Sequence, residues 1–161
     1  MILGSCPIGP EGGHAAGRAL LRELYTRHIG PSMPHILITP RGKPYFSGNP
    51  VFFSISHTKN HVFCALSPRP IGIDAEELYR DINLRLAEKI LSEAEYSQYL
   101  QAEDPRTALL TFWVLKEAQA KLTGEGLRGY PNTTDFSLDD PRVHTENDCL
   151  LAVLEDDDYA V

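Results

Sequence analysis

The chain has 161 residues, of which 42% are hydrophobic and 23% are charged, proportions that are ordinary for a soluble globular protein. This length is sufficient for one compact domain, which can be divided into two small lobes. The formal net charge of −7 argues against non-specific binding to nucleic acid or to an anionic membrane surface.

The first half of the chain predicts one helix followed by several strands. Apolar residues recur every four positions at Ala16, Leu20 and Leu24 within a helix predicted over 14–30, and Gly30 is a typical stop signal. The predicted strands are "HILIT" (35–39), "VFFSIS" (51–56), "HVFCALS" (61–67) and "PIGIDAE" (70–76). A turn rich in glycine and proline precedes "VFFSIS", and a short polar turn joins "VFFSIS" to "HVFCALS", which predicts a hairpin.

After Glu76 the pattern changes to helices. A short helix is predicted at "LRLAEKI" (84–90), and Ser92 with Glu95 three residues later forms a capping-box pattern for the next one. Asp104 and Pro105 form a cap and first-turn start for the longest helix, which runs to Thr123 and is ended by Gly124. Three short strands are predicted last, at "TDFSL" (134–138), "CLLAVLE" (149–155) and "YAV" (159–161). The order of elements predicts an α+β fold with mainly antiparallel sheet, in two lobes hinged near residues 74–84.

The cysteines and the apolar runs bear on the compartment. Cys6, Cys64 and Cys149 are scattered and show no CxxC spacing, which argues for a reducing compartment and against a disulfide framework or a zinc site. No apolar run approaches the length that spans a bilayer. The opening letters "MILGSC" have neither the basic nor the apolar segment of a secretion signal. We therefore expect a cytoplasmic protein.

Two carboxylates, Asp74 and Glu76, lie at alternate positions at the end of the strand "PIGIDAE". Side chains at i and i+2 of a strand face the same side, about 6–7 Å apart. Like charges so placed are unfavourable unless a cation lies between them. Taken alone, the pair is either a strand end whose acids face water or half of a metal site. A Mg²⁺ site would also need a third ligand and an anionic substrate.

A candidate third acid lies in "FWVLKEAQAKLTGEGL" (112–127). On a helix, Trp113, Glu117 and Lys121 are spaced i, i+4, i+8 and share one face, with Lys116 beside them. The alternative is that Glu117 and Lys121 form an ordinary surface ion pair and that Trp113 belongs to the core.

Several basic side chains are candidates for binding phosphate. His57 follows Ser56 at the exit of a strand, where both ring nitrogens can donate when protonated, although a histidine there can also simply cap the hairpin turn. Lys43 lies in a glycine–proline turn, and Arg18 lies on the first helix. Each of these two can equally be a solvated surface residue. The motifs are decisive only in combination, since four such cations and three acids occur in an otherwise acidic chain.

In that combination the sequence resembles the 4′-phosphopantetheinyl transferases of the surfactin-synthetase or enterobactin type. The motifs that carry the resemblance are "RGKP" (41–44), "FFSISH" (52–57), "GIDAE" (72–76), "LSEAEY" (91–96) and "FWVLKEAQAKLTGEGL" (112–127). They occur in the family's order and at compatible spacing, and the resemblance covers roughly residues 12–138.

The resemblance implies a fold and a set of site residues. The fold would be a pseudo-dimer of two similar α+β lobes, residues 1–76 and 77–161, which together form one catalytic unit. Mg²⁺, or alternatively Mn²⁺, would be held by Asp74, Glu76 and Glu117. The phosphates of the co-substrate coenzyme A would contact Lys43, His57, Lys121 and Arg18, with Ser56 against its nucleotide part. Lys116 would adjoin the reaction centre, and the catalytic residues would be Glu117, Lys121 and Lys116.

The implied reaction transfers the 4′-phosphopantetheine group of coenzyme A to a serine of an acyl or peptidyl carrier protein and releases 3′,5′-ADP. Positioning and charge neutralisation catalyse most such chemistry, and Glu117 is the candidate acceptor of the serine proton. Two other functions use the same residues: a non-catalytic module that binds coenzyme A or a carrier, and a Mg²⁺-dependent nucleotide phosphohydrolase.

The chain departs from the family's pattern before the first helix, where it lacks most of the usual segment. We therefore expect a shortened N-terminal lobe without its first strand, with an unpaired strand edge that a partner chain or a second copy covers. A monomer is otherwise expected. Leu84, Leu86 and Ile90, in the segment after Glu76, are the candidate carrier contacts, and they are equally compatible with a place in the core.

Overall fold

The computed structural model describes residues 1–126 and 134–160. Leu127, the last residue of the longest motif, and Val161, the last residue of the predicted strand "YAV", lie outside the described residues.

The first half of the chain contains five strands and one long helix. In chain order the elements are β1 (Ile2–Pro7), α1 (Gly13–His28), β2 (Ile36–Ile38), β3 (Pro44–Phe46), β4 (Phe52–His57) and β5 (His61–Ser67). The predicted helix, the predicted strand "HILIT" and the predicted hairpin are therefore confirmed, since β4 and β5 pair antiparallel with Ile55 opposite Cys64.

In the second half, helices lie between one strand and a final hairpin. The elements are β6 (Ile71–Glu77), a 3₁₀ turn (Leu84–Leu86), α2 (Ala87–Ile90), α3 (Glu93–Gln101), α4 (Pro105–Thr123), β7 (Val143–Glu146) and β8 (Cys149–Glu155). The capping box at the start of α3 is present, because the Ser92 hydroxyl accepts from the N–H of Glu95 and the Glu95 carboxylate accepts from the N–H of Ser92. The Asp104 carboxylate caps α4, and Gly124 ends that helix in the left-handed conformation with φ 73°.

The strands of the described residues form two three-stranded antiparallel sheets and a two-stranded ribbon. The first sheet has the order β1-β5-β4, the second has the order β6-β8-β7, and β2 pairs with β3 in the ribbon. Both sheets follow the same path: one strand, a helical segment, then two strands, with the first strand paired to the third. The predicted α+β class with mainly antiparallel sheet is confirmed. That the two halves superimpose as a pseudo-dimer stays a prediction.

The two sheets face each other, and each is covered on its outer face by a helix. On β5, Phe63 and Ala65 pack with Ile71 and Ile73 of β6 between the sheets, whereas the alternate residues Val62, Cys64 and Leu66 pack with α1. On β8, Leu151 faces the other sheet, and Leu150, Ala152 and Leu154 pack with α4. Both strands are buried on both faces, which explains why "HVFCALS" and "CLLAVLE" are nearly continuous apolar runs.

At one corner the two sheets meet through side chains rather than through a backbone ladder. The hydroxyl of Ser54 on β4 accepts from the N–H of Ile73 at 3.0 Å, and the hydroxyl of Ser56 accepts from the N–H of Ala75 at 3.1 Å. The two serines therefore satisfy β6 backbone donors that have no strand beside them on that edge.

Gly72 allows α4 to cross β6 in direct backbone contact. A Cβ atom added there would lie 2.1 Å from the carbonyl oxygen of Ala118 and 2.4 Å from the backbone nitrogen of Leu122. Any side chain would push the helix away from the strand. The glycine of the "GIDAE" motif thus sets how closely the acids of β6 approach the side chains of α4.

The first strand of the N-terminal lobe is present, so the expectation that it is missing was wrong. Residues Ile2–Pro7 form β1, which pairs with β5 along its whole length, with Gly4 opposite Cys64. The first sheet therefore has three strands, and β1 is its edge. Because β1 has no second strand beside it in the described part of the chain, self-association through this edge stays a prediction.

Two predicted strands are also wrong. Residues 134–138 form no strand, because the N–H of Phe136 donates to the Glu95 carboxylate at 3.0 Å and the N–H of Leu138 donates to the Gln98 side chain at 3.1 Å. The partners that a strand would need are replaced by side chains of α3. Tyr159 and Ala160 are likewise irregular.

The pairing of β6 also bears on the predicted division at residue 76. Asp74 lies opposite Ala152 of β8, so β6 belongs to the second sheet, and the passage between the two sheets falls between Ser67 and Ile71. The division into residues 1–76 and 77–161 separates β6 from its sheet. As a division into lobes it stays a prediction. No helix in the described part of the chain has the length and apolar character needed to cross a bilayer.

Candidate functional site

The acids of β6 meet one face of α4. The Lys121 ammonium lies 2.8 Å from Oδ1 of Asp74, and the Trp113 indole N–H donates to Oε1 of Glu76 at 3.2 Å. Glu117 lies one helical turn from each of these two α4 residues, on the same face. Glu117 is therefore near enough to Asp74 and Glu76 for their charges to raise its pKa, with Lys121 beside them. That the three acids share one metal ion stays a prediction.

Asp74 is buried and has two differently satisfied oxygens. Its Oδ1 accepts from Lys121 and from the Ser56 hydroxyl, the latter at 3.0 Å. Its Oδ2 is buried and has no hydrogen-bond partner among the described residues. An unsatisfied buried carboxylate oxygen is unfavourable. A cation at this position would relieve that cost.

The two glutamates have raised pKa values. Burial is the main cause of the raised pKa of Glu76, and the nearby Asp74 charge adds to it, while Arg80 and Lys121 oppose it. Burial also raises the pKa of Glu117, followed by repulsion from Asp74 and Glu76, with Lys121 and Arg80 opposing. Both carboxylates are thus held in a half-buried, negatively charged place where their ionised forms are unfavourable.

The three carboxylates fit a divalent metal ion in their chemistry, but two of them, Asp74 and Glu76, are paired to basic side chains in this structure. Hard oxygen donors of this kind are the ligands that Mg²⁺ prefers. Nevertheless, no three His, Cys, Asp or Glu side chains among residues 1–126 and 134–160 are arranged to hold a metal ion. Lys121 occupies one oxygen of Asp74, and Arg80 occupies one oxygen of Glu76. The unpaired Asp74 oxygen and the three carboxylate side chains suit a divalent ion. Lys121 and Arg80 each bind a carboxylate oxygen that such an ion would also use.

A cleft of about 300 Å³ opens beside Glu117 and Lys121. Its other wall is the turn that carries Arg41 and Lys43, together with Phe53, Ser54 and Ile55 of β4. The Lys43 ammonium donates to the carbonyl of Leu122 at 2.5 Å, near the end of α4, and burial lowers the pKa of this lysine. The structure therefore places Lys43 and Lys121 on the same cleft.

His57 lies on the other side of the acids. It lines a second cavity of about 410 Å³ with Thr58, Lys59, Glu76, Glu77 and Arg80. The imidazole covers Gly13 at the start of α1, where an added Cβ would lie 2.7 Å from the ring. Glu76 is the residue that the second cavity shares with the carboxylate cluster.

Three of the predicted site residues have other surroundings. Arg18 is half-buried on α1, lines neither of these cavities and forms no hydrogen bond or ion pair with any described residue. Ser56 is buried between β4 and β6 and holds Asp74, so its contact with a nucleotide stays a prediction. Lys116 forms a fully buried ion pair with Glu95 at 2.8 Å, which joins α4 to α3. A catalytic role for Lys116 stays a prediction.

Two side chains in the site were not predicted as parts of it. Trp113 is not only a core residue, because its indole N–H holds Glu76. Arg80 binds the same oxygen of Glu76. The spacing of Glu76 and Arg80, i and i+4, was the available signal, but it has this meaning on a helix and these residues lie at a strand end followed by a turn.

Comparison with known proteins points to one family. Residues 70–155 match the family model of the 4′-phosphopantetheinyl transferase superfamily. The chain is 37% identical over 122 residues to the 4′-phosphopantetheinyl transferase psf-1 of Bacillus pumilus, covering 70% of this chain and 52% of that protein. It is 30% identical over 134 residues to the transferase gsp of Aneurinibacillus migulanus, covering 80% and 54%. To the transferase Sfp of Bacillus subtilis it is 34% identical over 116 residues, covering 69% and 51%. The chain thus spans about half the length of the curated relatives it matches.

Proposed function

The chain belongs to the 4′-phosphopantetheinyl transferase superfamily, and on that basis we propose that it transfers the 4′-phosphopantetheine group of coenzyme A to a serine hydroxyl of an acyl or peptidyl carrier protein. In this reaction the serine oxygen forms a bond to the β-phosphorus, the bond from that phosphorus to the bridging oxygen breaks, and 3′,5′-ADP leaves. The observation that carries the proposal is the meeting of Asp74, Glu76 and Glu117 beside a cleft lined by Lys43 and Lys121.

We assign Asp74, Glu76 and Glu117 as the residues that would hold Mg²⁺, with Mn²⁺ as an alternative. The bound ion would supply positive charge to the diphosphate oxygens. The Oδ2 atom of Asp74 supports this assignment, since it is a buried carboxylate oxygen that accepts no hydrogen bond from the described residues and can bind a metal ion.

The basic side chains around the cleft would bind the phosphates of coenzyme A. Lys121 and Lys43 line the cleft itself, and His57 approaches from the second cavity. Fixed positive charges of this kind bring the diphosphate into position and stabilise the charge that develops on the leaving group. Arg18 is the remaining candidate for the phosphates, and Ser56 would act by orienting Asp74.

Glu117 would accept the proton of the attacking serine, directly or through a water molecule. Its pKa is raised by burial and by the neighbouring acids. A metal ion held by the same carboxylate would weaken it as a base, so transfer of the proton through a water molecule is the route that agrees with the ligand role of Glu117. Glu117 also forms no hydrogen bond or ion pair within the described residues that would have to break first.

The carrier would approach from the segment that follows β6. Of the three predicted carrier contacts, the one at Ile90 is wrong, because this side chain is buried in the core. Leu86 is partly buried against the same core. Leu84 is 46% exposed and remains a candidate, and Tyr79, earlier in the same segment, is 83% exposed.

We further propose that the two sheet-and-helix units act as one catalytic unit and that the protein is a monomer. A cytoplasmic location is in keeping with the free thiols of Cys6, Cys64 and Cys149.

The test is to incubate the protein with coenzyme A, Mg²⁺ and apo carrier proteins from fatty-acid, polyketide and peptide synthetases, and to weigh each carrier by mass spectrometry. A mass gain of one phosphopantetheine unit on at least one carrier is expected, with the Glu117→Gln variant as the control. No gain on any carrier would favour a non-catalytic binding module. Breakdown of coenzyme A without a carrier would indicate a phosphohydrolase.

A further inference from the structure

Arg80 places a positive charge directly on one of the site's carboxylates. Its Nη1 binds Oε1 of Glu76, the oxygen that also accepts from the Trp113 indole N–H. The guanidinium lies over the Trp113 ring, with Cζ 5.9 Å from the ring centroid. Two donors, one from the turn after β6 and one from α4, thus bind the same carboxylate oxygen of β6.

The backbone that carries Arg80 is anchored, whereas its side chain is only partly enclosed. The N–H of Arg80 donates to the carbonyl of Glu77 at 2.9 Å, and Arg106 of α4 donates to the carbonyl of Leu78 in the same turn. The side chain of Arg80 is 41% exposed, and that of Glu76 is 20% exposed. The Arg80 side chain also lines the second cavity, so there is open space beside the guanidinium on the side away from the buried core.

A carboxylate oxygen that binds a guanidinium is not available to a metal ion at the same time. Asp74 and Glu117 lie close enough to Glu76 to repel it, so a cation near Glu76 is stabilising even in the absence of metal. Arg80 supplies that cation from within the chain.

We propose that Arg80 competes with the divalent ion for Glu76, so that it neutralises the carboxylate cluster when metal is absent and must leave when metal binds. This inference rests on the proposed assignment of Asp74, Glu76 and Glu117 as metal ligands. The Trp113 N–H would stay on the Glu76 oxygen when the guanidinium leaves it. Because the guanidinium would also leave the Trp113 ring, the surroundings of this tryptophan change when metal replaces Arg80.

The experiment measures metal binding by the protein alone, without coenzyme A or carrier. Free Mn²⁺ is followed by electron paramagnetic resonance during titration of the wild type, Arg80→Gln and Arg85→Gln. Arg85 is an exposed neighbour outside the cluster, so its substitution removes the same charge without removing the contact. We expect Arg80→Gln to bind Mn²⁺ about two- to fivefold more tightly than the wild type, the range for a partly exposed ion pair, and Arg85→Gln to bind it as the wild type does.

Trp113 gives a second readout, because it is the only tryptophan in the chain. Titration with Mg²⁺ should change its fluorescence in the wild type, and the change should be smaller in Arg80→Gln, whose spectrum without metal should resemble that of the Mg²⁺-loaded wild type. Equal Mn²⁺ affinity in wild type and Arg80→Gln would overturn the competition and leave the metal site standing. An equal gain in Mn²⁺ affinity in Arg85→Gln would show that the change in net charge alone strengthens binding, and this result would also overturn the competition. Failure of every variant to bind Mn²⁺ would refute the metal assignment, and the competition with it.

Discussion

Lys121 and Asp74 are 47 positions apart in sequence, yet the Lys121 ammonium lies 2.8 Å from one oxygen of the Asp74 carboxylate, while the other oxygen of that carboxylate has no partner in the described part of the chain. This pair joins α4 to β6 at the point where the three acids meet. It leaves one buried oxygen of Asp74 for a further cation, and it places the lysine at the edge of the cleft.

Glu117→Gln tests the proton-accepting role. The amide keeps the size of the side chain but cannot accept the serine proton, so kcat should fall by about 10²-fold or more, while the Kd for coenzyme A should change by less than about threefold. Both constants are measured with the carrier that the mass assay identifies. Glu88→Gln, an exposed residue of α2, is the control for the same chemical change. If kcat and affinity fell by the same factor, Glu117 would be a ligand and not a base.

The raised pKa values of Glu76 and Glu117 predict how stability depends on pH. A carboxyl group whose pKa is higher in the folded state binds its proton more tightly there. Its contribution is therefore most favourable at low pH and is lost as the pH rises from the ordinary value of 4.5 through the raised folded value. In the presence of a chelator, Glu117→Gln should be more stable than the wild type at pH 7 and should lose that advantage at pH values below 4.5.

Urea denaturation of both proteins across this pH range measures the difference in the free energy of unfolding. Glu88→Gln should show no such pH-dependent advantage. A wild type that is more stable than Glu117→Gln at pH 7 would mean that the Glu117 charge is compensated within the fold.

Ser56→Ala and Ser54→Ala distinguish two roles of these serines: joining the two sheets, and holding the Asp74 carboxylate in place. Each substitution removes an acceptor for a β6 backbone N–H, so each should destabilise the fold by about 1–3 kcal/mol. Only Ser56 also donates to Asp74. Ser56→Ala should therefore weaken Mn²⁺ binding several-fold, and Ser54→Ala should leave it unchanged. Equal effects of the two on Mn²⁺ binding would show that the junction alone shapes the carboxylate cluster.

Lys116→Met tests whether this lysine is structural. Its ammonium is buried against Glu95, and the loss of one partner from a buried pair costs about 3–5 kcal/mol because the other charge stays unpaired. Lys121→Met, five residues further along the same helix, is the matched control and should instead weaken coenzyme A binding with a smaller effect on stability. Chemical denaturation and calorimetric binding give the two quantities. Normal stability of Lys116→Met with a large loss of turnover would support the catalytic role predicted for it.

Much of this fold was readable from local patterns. The helix starts at Ser92 and Asp104, the stop at Gly124 and the hairpin of β4 and β5 each depend on neighbouring residues, and these predictions were confirmed. The segment at 134–138 was misread because its backbone partners are Glu95 and Gln98, about 40 residues earlier. Such contacts leave no periodic trace in the sequence.

The site shows the same limit. The spacing of Asp74 and Glu76, and that of Trp113, Glu117 and Lys121, predicted which residues share a face. Spacing did not reveal that Lys116, next to Glu117, turns towards Glu95, or that Arg80 returns to Glu76. Those positions depend on how α3, α4 and the turn after β6 pack together.

The contact of β4 with β6 through Ser54 and Ser56 has a mechanical consequence. A continuous ladder would spread the coupling of the two sheets over many backbone groups, whereas here two buried hydroxyl groups accept from the backbone N–H groups of β6. Loss of either hydroxyl therefore loosens the joint while every strand keeps its own neighbours. Loss of Ser56 also removes a hydrogen-bond donor from Asp74, so the mechanical joint and the carboxylate cluster depend on the same side chain.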